Sequence, residues 1–141
     1  MIIDKDTESY EDTSQALMQT SKVNNRWSMT CTHAISAEAS LKVISTASGA
    51  INKIDVIILD SNVNETKDIN YLTLLRMFRS VFGESILIGV LFPALSLVEE
   101  SFRLRAVKAG VDFIWAKPIT QYMDMLSLLL DCKQRKDSSN L

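Results

Sequence analysis

The sequence predicts an α/β protein, a three-layer α/β/α sandwich built on a five-stranded, doubly wound parallel sheet. Three observations predict it. Val56 to Leu59 and Ile86 to Phe92 are apolar runs without a charge, and a strand covered on both faces reads that way. Segments of helical length and helical spacing separate the apolar runs, which implies parallel pairing through right-handed crossovers. Strand and helix alternate five times over 141 residues, too few units for a barrel of eight.

The elements follow in order. Met1-Ile2-Ile3 is the end of a short first strand, cut off by Asp4-Lys5-Asp6; from so short a strand the expectation is a piece excised from a longer chain. Asp6 or Thr7 caps the helix that follows, with Glu8 in its first turn and Tyr10, Thr13 and Leu17 on one face. Past Asn24-Asn25, Trp27 to His33 alternates as a half-buried strand, with Trp27, Met29, Cys31 and His33 pointing one way. His33 therefore reads as a strand-end packing residue rather than a catalytic base. Ser36 caps a helix that carries Ala37, Leu41, Ile44, Ala47 and Ile51 to about Lys53, although the β-branching of Val43-Ile44-Ser45-Thr46 also suits a strand.

The strand Asp55–Asp60 comes next. A polar loop from Ser61 to Lys67 leads into a helix from about Asp68 to Phe82, with Leu72, Leu75, Phe78 and Phe82 inward and Gly83 closing it. The strand Ile86–Phe92 stops at Pro93. Ser96 caps a helix from about Leu97 to Ala109 that ends at Gly110. Val111–Ala116 is a shorter strand delivering Lys117-Pro118, and the last helix runs from Ile119 to about Lys133. One domain spans 1–136, and 137–141 reads as a tail or the start of a linker.

Composition excludes several classes. With 47% hydrophobic and 23% charged residues the chain is ordinary for a globular domain. A net charge of −2 without a basic stripe argues against direct contact with nucleic acid; Lys133, Arg135 and Lys136 instead complement the dipole at the end of the last helix. Two distant cysteines and one histidine offer no zinc spacing, so Cys31 and Cys132 read as reduced packing residues. The opening residues do not read as a secretion signal, and no stretch is long and apolar enough for a membrane span. The expectation is a cytoplasmic domain without membrane contact, a longer parent being free to carry its own anchor.

Asp60 is the first candidate for chemistry, because an open α/β sheet places its working residues beyond the carboxyl ends of its strands. The competing reading is a residue that starts a turn or caps a helix. Such a sheet brings three polar strand ends together: Asp4 with Lys5 and Asp6, then Asp60, then Lys117.

Over essentially its full length the chain resembles the receiver domain of response regulators, the CheY-like family with a flavodoxin-like (β/α)5 fold. Four pieces carry the resemblance: Ile2-Ile3-Asp4-Lys5-Asp6, the strand Asp55–Asp60, Ala106-Val107-Lys108-Ala109-Gly110-Val111-Asp112-Phe113, and Ala116-Lys117-Pro118. Their order and spacing are specific where no single piece is. The resemblance implies a signalling module of a two-component phosphorelay rather than an enzyme. Asp60 would accept a phosphoryl group from a histidine kinase or histidine phosphotransfer protein. Asp4, Asp60 and the Asn62 backbone carbonyl would hold Mg²⁺, Lys117 would pair with the phosphoryl oxygens, and the Lys117–Pro118 bond would be cis.

The chain also departs from the family. Lys5 stands where a second acid is usual, and Asp6 replaces that acid only if the register shifts by one. Leu91 stands at the hydroxyl position ending the fourth strand, Ile114 at the aromatic switch position, and Val63-Asn64 where Met-Pro is common. Leu91 cannot donate a hydrogen bond. These losses imply an atypical or pseudo-receiver with weak or absent Mg²⁺ binding that acts through protein contacts. Lys5 would then supply fixed positive charge to Asp4 or Asp60, or else reach into solvent. Two alternatives stay open: an ordinary Mg²⁺-dependent phosphoacceptor of a response regulator or hybrid histidine kinase, and a small flavodoxin-like cofactor binder or enzyme. The latter wants a phosphate loop after the first strand, where no glycine occurs.

An interaction surface is also expected. Ile119, Tyr122, Met123, Leu126 and Leu130 form a core stripe on the last helix, which leaves Met125, Leu128 and Cys132 as a second, exposed stripe. Leu97 and Leu104 are a similar surplus on the preceding helix, beside its inward Phe102, Ala106 and Ala109. The face of these two helices is expected to bind a partner protein or a second copy of the chain.

Overall fold

The computed structural model describes residues 1–23, 29–47, 54–63, 70–93, 100–117, 119 and 122–139. In chain order they form β1 (Ile2–Ile3), α1 (Thr7–Val23), β2 (His33–Ala34), α2 (Ala37–Ala47), β3 (Val56–Asp60), α3 (Tyr71–Phe82), β4 (Leu87–Pro93), α4 (Glu100–Lys108), β5 (Phe113–Lys117) and α5 (Tyr122–Ser139). Every pairing is parallel and the strand order is β2-β1-β3-β4-β5. The predicted five-stranded, doubly wound α/β/α sandwich is therefore the fold.

Alternate residues of the central strands enter two separate cores, as the two-residue period of a strand requires. Ile57, Leu59, Ile88, Val90 and Phe92 pack with Leu74, Leu75 and Phe78 of α3 and Ala106 of α4. Ile58, Leu87, Leu91 and Phe113 pack with Leu17 of α1 and Met125, Leu129 and Cys132 of α5. Each large side chain fully buried this way contributes about 1.5–3 kcal/mol. Gly89 on β4 leaves room for the Phe113 ring; a Cβ built at that glycine would lie 1.9 Å from it.

Local chemistry sets the ends of the helices. The Asp6 carboxylate accepts the Glu8 and Ser9 N–H groups at 3.0 and 3.2 Å, so Asp6 rather than Thr7 caps α1. Ser36 Oγ accepts the Ala39 N–H at 3.0 Å and caps α2 as expected. Asn70 does the same for α3 through Thr73. Gly83 takes φ 59° and its N–H donates to the Arg79 carbonyl, which closes α3.

Several boundaries differ from expectation. Among the described residues β2 is only His33–Ala34, because β1 offers only Ile2 and Ile3 to pair with it. Met29 and Cys31 still pack half-buried against the α1/α5 core, as the alternation required. The stretch Val43–Thr46 lies in α2, so its β-branching does not make a strand. Pro93 is the last residue of β4 rather than its stop, paired with Lys117. β5 begins at Phe113, and α5 continues through Asp137 to Ser139, helped by the Lys133–Asp137 pair at 3.3 Å. Trp27, Ile51, Asn64, Ser96, Leu97 and Pro118 lie outside the described residues, as therefore does the expected cis bond.

The stripe assigned to the core of α5 is rotated from the true one. Met123 is 52% exposed, whereas Met125 is wholly buried, with Leu129 and Cys132 beside it. The helix packs against both the sheet and α1, so its buried arc is wide, and Leu126 marks one edge of it. Among the described residues no helix is long and apolar enough to cross a membrane.

A polar clasp closes the end of the sheet where β4 and β5 begin. The Arg79 guanidinium donates to the carbonyls of Gly83, Ile86 and Gly110 and pairs with Asp112. Lys136 of α5 reaches Glu84 at 2.9 Å and Asp112 at 3.0 Å. It thus ties the last helix to two loops, beyond the dipole role expected of it. The opposite end, where the strands finish, holds the candidate site.

Candidate functional site

Asp4 follows the last residue of β1, Asp60 is the last residue of β3, and Lys117 is the last residue of β5. β1 and β3 are neighbours, which sets the two acids side by side, and the long Lys117 side chain reaches them across the end of β4. Its ammonium donates to Asp60 Oδ2 at 2.5 Å, to Asp4 Oδ2 at 2.9 Å and to Ser9 Oγ at 2.9 Å. The other oxygen of each acid is held by its own loop: Asp4 Oδ1 accepts the Asp6 N–H at 3.0 Å, and Asp60 Oδ1 accepts the Asn62 N–H at 2.9 Å. Both carboxylates are buried, Asp4 at 1% and Asp60 at 4% exposure.

Buried acids survive as anions only where such donors repay their lost hydration. Burial pushes the Asp4 carboxyl up, but the Asp6 N–H, the Lys117 ammonium and the Ser9 hydroxyl together outweigh it and hold its pKa below the ordinary 3.8. Burial likewise pulls Lys117 down, and its bonds to Asp60 and Asp4 more than offset this, so its pKa lies above the ordinary 10.5. The pocket therefore holds its lysine charged across the physiological range. On the outer side of β1, His33 Nε2 bonds the Asp4 carbonyl at 2.8 Å and its ring stacks on Tyr10 at 3.8 Å, a packing role as expected.

Asp4, Asp60 and Lys117 thus meet in one pocket, and other expected residues do not join them. Lys5 is exposed, and among the described residues it makes no ion pair with Asp4 or Asp60; the cation between them is Lys117. Asp6 is occupied as the cap of α1. Asn62 is exposed and contributes its N–H to Asp60. Leu91 pairs in register with Asp60, yet it is 1% exposed and committed to the α1/α5 core. Ile114 is half-buried against the opposite core. Among the described residues no three acids, histidines or cysteines gather as a metal cluster.

The expected contact patch is largely dismantled. Met125 is inside the protein because α5 lays that side chain on the sheet. Leu128 is half-buried against the same core, and Leu97 lies outside the described residues. Leu104 is exposed at 54%, with Val107 at 60% on the same helix.

Ser9 is the site residue that the sequence reading missed. Capping by Asp6 places it in the first turn of α1 with its hydroxyl toward the strand ends. The available signal was a hydroxyl residue three positions after a capping acid.

No family model matches the sequence, and no curated protein does. Solved structures do match. A two-component response regulator from Cytophaga hutchinsonii superposes with a TM-score of 0.73 at 18% identity, over 93% of this chain and 92% of that one. A response regulator receiver domain protein from Clostridium thermocellum gives 0.66 at 18% identity, over 96% and 94%. The phosphorylated cyanobacterial phytochrome response regulator RcpA gives 0.63 at 14% identity, over 96% and 89%. The fold is that of a receiver domain. At these identities the likeness is one of architecture alone.

Proposed function

We propose that this receiver-fold chain, over 1–136, is a signalling module of a two-component phosphorelay that accepts a phosphoryl group on Asp60 and responds to it locally. The observation that carries this reading is the Lys117 ammonium shared between the Asp60 and Asp4 carboxylates in a buried pocket at the strand ends. One similar structure is of a phosphorylated response regulator. The donor on this reading is a phosphohistidine of a histidine kinase or histidine phosphotransfer protein, and the module is an interaction domain rather than an enzyme, working in the cytoplasm.

The chemistry asked of the pocket is small. An Asp60 carboxylate oxygen attacks phosphorus, the P–N bond of the donor breaks, and the imidazole leaves with the bonding pair and retains or gains a proton from solvent. Loop N–H groups hold the acids in place, so the attacking oxygen is oriented before the donor arrives. Lys117 already faces Asp60 and follows the charge onto the new phosphoryl oxygens. Asp4 and Asp60 are hard oxygen donors facing one region, a set that suits Mg²⁺, with the Asn62 carbonyl as a further ligand. Mg²⁺, when bound, offsets charge on the transferring oxygens. Only two carboxylates face that region, and Lys5 follows Asp4 in sequence where a third acid would strengthen the site, so that binding is weak.

The response stays local because Leu91 offers no hydroxyl and Ile114 no aromatic ring, and both are packed against core. Output then depends on contacts made by the surface as it stands, and exposed Leu104 on α4 is what remains of the patch proposed for a partner or second copy. Adding beryllofluoride and Mg²⁺ tests the reading. Amide shifts are expected at Asp4 to Asp6, Asp60 to Val63 and Lys117 and not along α4 and α5. An unchanged spectrum would remove the phosphoacceptor, and shifts spreading through both helices would restore an ordinary switch.

A further inference from the structure

We propose that Ser9 is a positioning residue of this pocket, its hydroxyl fixing the Lys117 ammonium against Asp4 and Asp60. The inference rests on the phosphoacceptor reading of Asp60 and adds a residue to it. An ammonium has three N–H donors, and the three acceptors within reach of Lys117 are Asp60 Oδ2 at 2.5 Å, Asp4 Oδ2 at 2.9 Å and Ser9 Oγ at 2.9 Å. Every donor is therefore assigned and the nitrogen has one orientation.

A hydroxyl that accepts from Lys117 keeps its own proton to donate. Lys117 bonds Ser9 Oγ and Asp4 Oδ2 at the same distance, 2.9 Å, which sets that hydroxyl and that carboxylate around one ammonium. Ser9 is thus a link between the cation and the second acid, not only an ornament on the helix.

When Asp60 Oδ2 becomes bonded to phosphorus, Lys117 must exchange that oxygen for a phosphoryl oxygen. Asp4 and Ser9 are the two contacts that persist and hold the nitrogen in place through the exchange. Without Ser9 only Asp4 remains, and the flexible lysine stem swings between water and the phosphoryl group. Leu91, in register with Asp60, cannot compensate. Ser9 is held for the task by backbone: its N–H bonds the Asp6 carboxylate, so the first turn of α1 fixes its Cα relative to the strand end.

The test compares the parent protein with Ser9→Ala and Ser9→Thr. Hydrogen exchange of the Lys117 ammonium with water, followed by its ¹H–¹⁵N signal at fixed pH, reads the pocket without any phosphoryl group. Ser9→Ala should speed that exchange several-fold and Ser9→Thr should return it toward the parent value; an exchange rate unmoved in Ser9→Ala overturns the proposal. The second arm is incubation with phosphoramidate and Mg²⁺, followed by intact mass. Ser9→Ala should label several-fold more slowly than the parent, and Ser9→Thr should recover most of the rate. A parent that labels alongside a Ser9→Ala protein of equal rate overturns the proposal as well. A parent that takes no label refutes the acceptor reading of Asp60 instead, and the ammonium exchange then decides Ser9 alone.

Discussion

Replacing Lys117 with methionine keeps the length of the side chain and removes the only cation paired with Asp4 and Asp60 among the described residues. Two carboxylates, 1% and 4% exposed, then face one another without a counter-charge. Stranding one side of a buried ion pair costs about 3–5 kcal/mol. The Lys117 side chain is itself 22% exposed, so water reaches the gap and the lower end, about 3 kcal/mol, is the expected loss at pH 7. With a urea dependence of about 2 kcal/mol per molar, the unfolding midpoint falls by about 1.5 M. The loss has a second signature. Like charges crowded together raise the apparent pKa of the pair above its unfolded value, so the destabilisation is full at high pH and shrinks as the pair takes up a proton on going toward pH 5. In an Asp60→Asn background, where only one acid is left, Lys117→Met should cost less than about half as much. Urea titrations followed by Trp115 fluorescence at pH 5 and 7 measure all four proteins. An equal loss in both backgrounds, or a loss independent of pH, would refute the account of the pocket as two acids held by one ammonium.

Exchanging Lys5 for aspartate should tighten Mg²⁺ binding about tenfold, or about 1.4 kcal/mol, as read by Trp115 fluorescence or amide shifts at Asp60; unchanged affinity would mean that position 5 does not face the metal. The contribution of Asp4 and Lys117 to stability, read as the difference between the parent and Asp4→Asn, should be flat between about pH 5 and 9. The depressed Asp4 contributes above its ordinary 3.8 and is lost as pH falls through its lower folded value. The elevated Lys117 contributes below 10.5 and is lost as pH rises through its higher folded value. A stability loss between pH 7 and 5 that disappears in Asp4→Asn would contradict those directions. Met125→Glu places a charge at a wholly buried position and should cost more than about 3 kcal/mol, whereas Leu104→Glu on exposed α4 should change stability by less than about 0.5 kcal/mol. Thermal unfolding by circular dichroism checks both, and equal effects would place Met125 back on the surface.

The fold was legible because β3 and β4 are apolar without interruption, and because a buried parallel strand leaves the sequence few other ways to look. Gly83, Ser36 and Asp6 marked helix ends through chemistry that acts within a few residues. The orientation of α5 was not legible. Its apolar residues occupy most of the circumference, so spacing alone allowed Met123 inward and Met125 outward, and only packing on Ile58, Leu87 and α1 decides against that. The length of β2 depended on how much of β1 exists to pair with it. Asp60 and Lys117 were found because strand ends in an open sheet converge. Ser9 was not, since its bond to Lys117 joins residues 108 positions apart, and the local capping pattern fixes only its place in the first turn of α1. Lys5 fell to the solvent reading because Lys117 already occupies the space between the acids.

Intact mass after incubation with phosphoramidate and Mg²⁺, with peptide mapping of the product, tests the central claim most directly. The account predicts a gain of one phosphoryl group located on Asp60, abolished by Asp60→Asn and greatly slowed by Lys117→Met. A parent protein that gains no mass under conditions that label an ordinary receiver, or that carries the group on another residue, would contradict it.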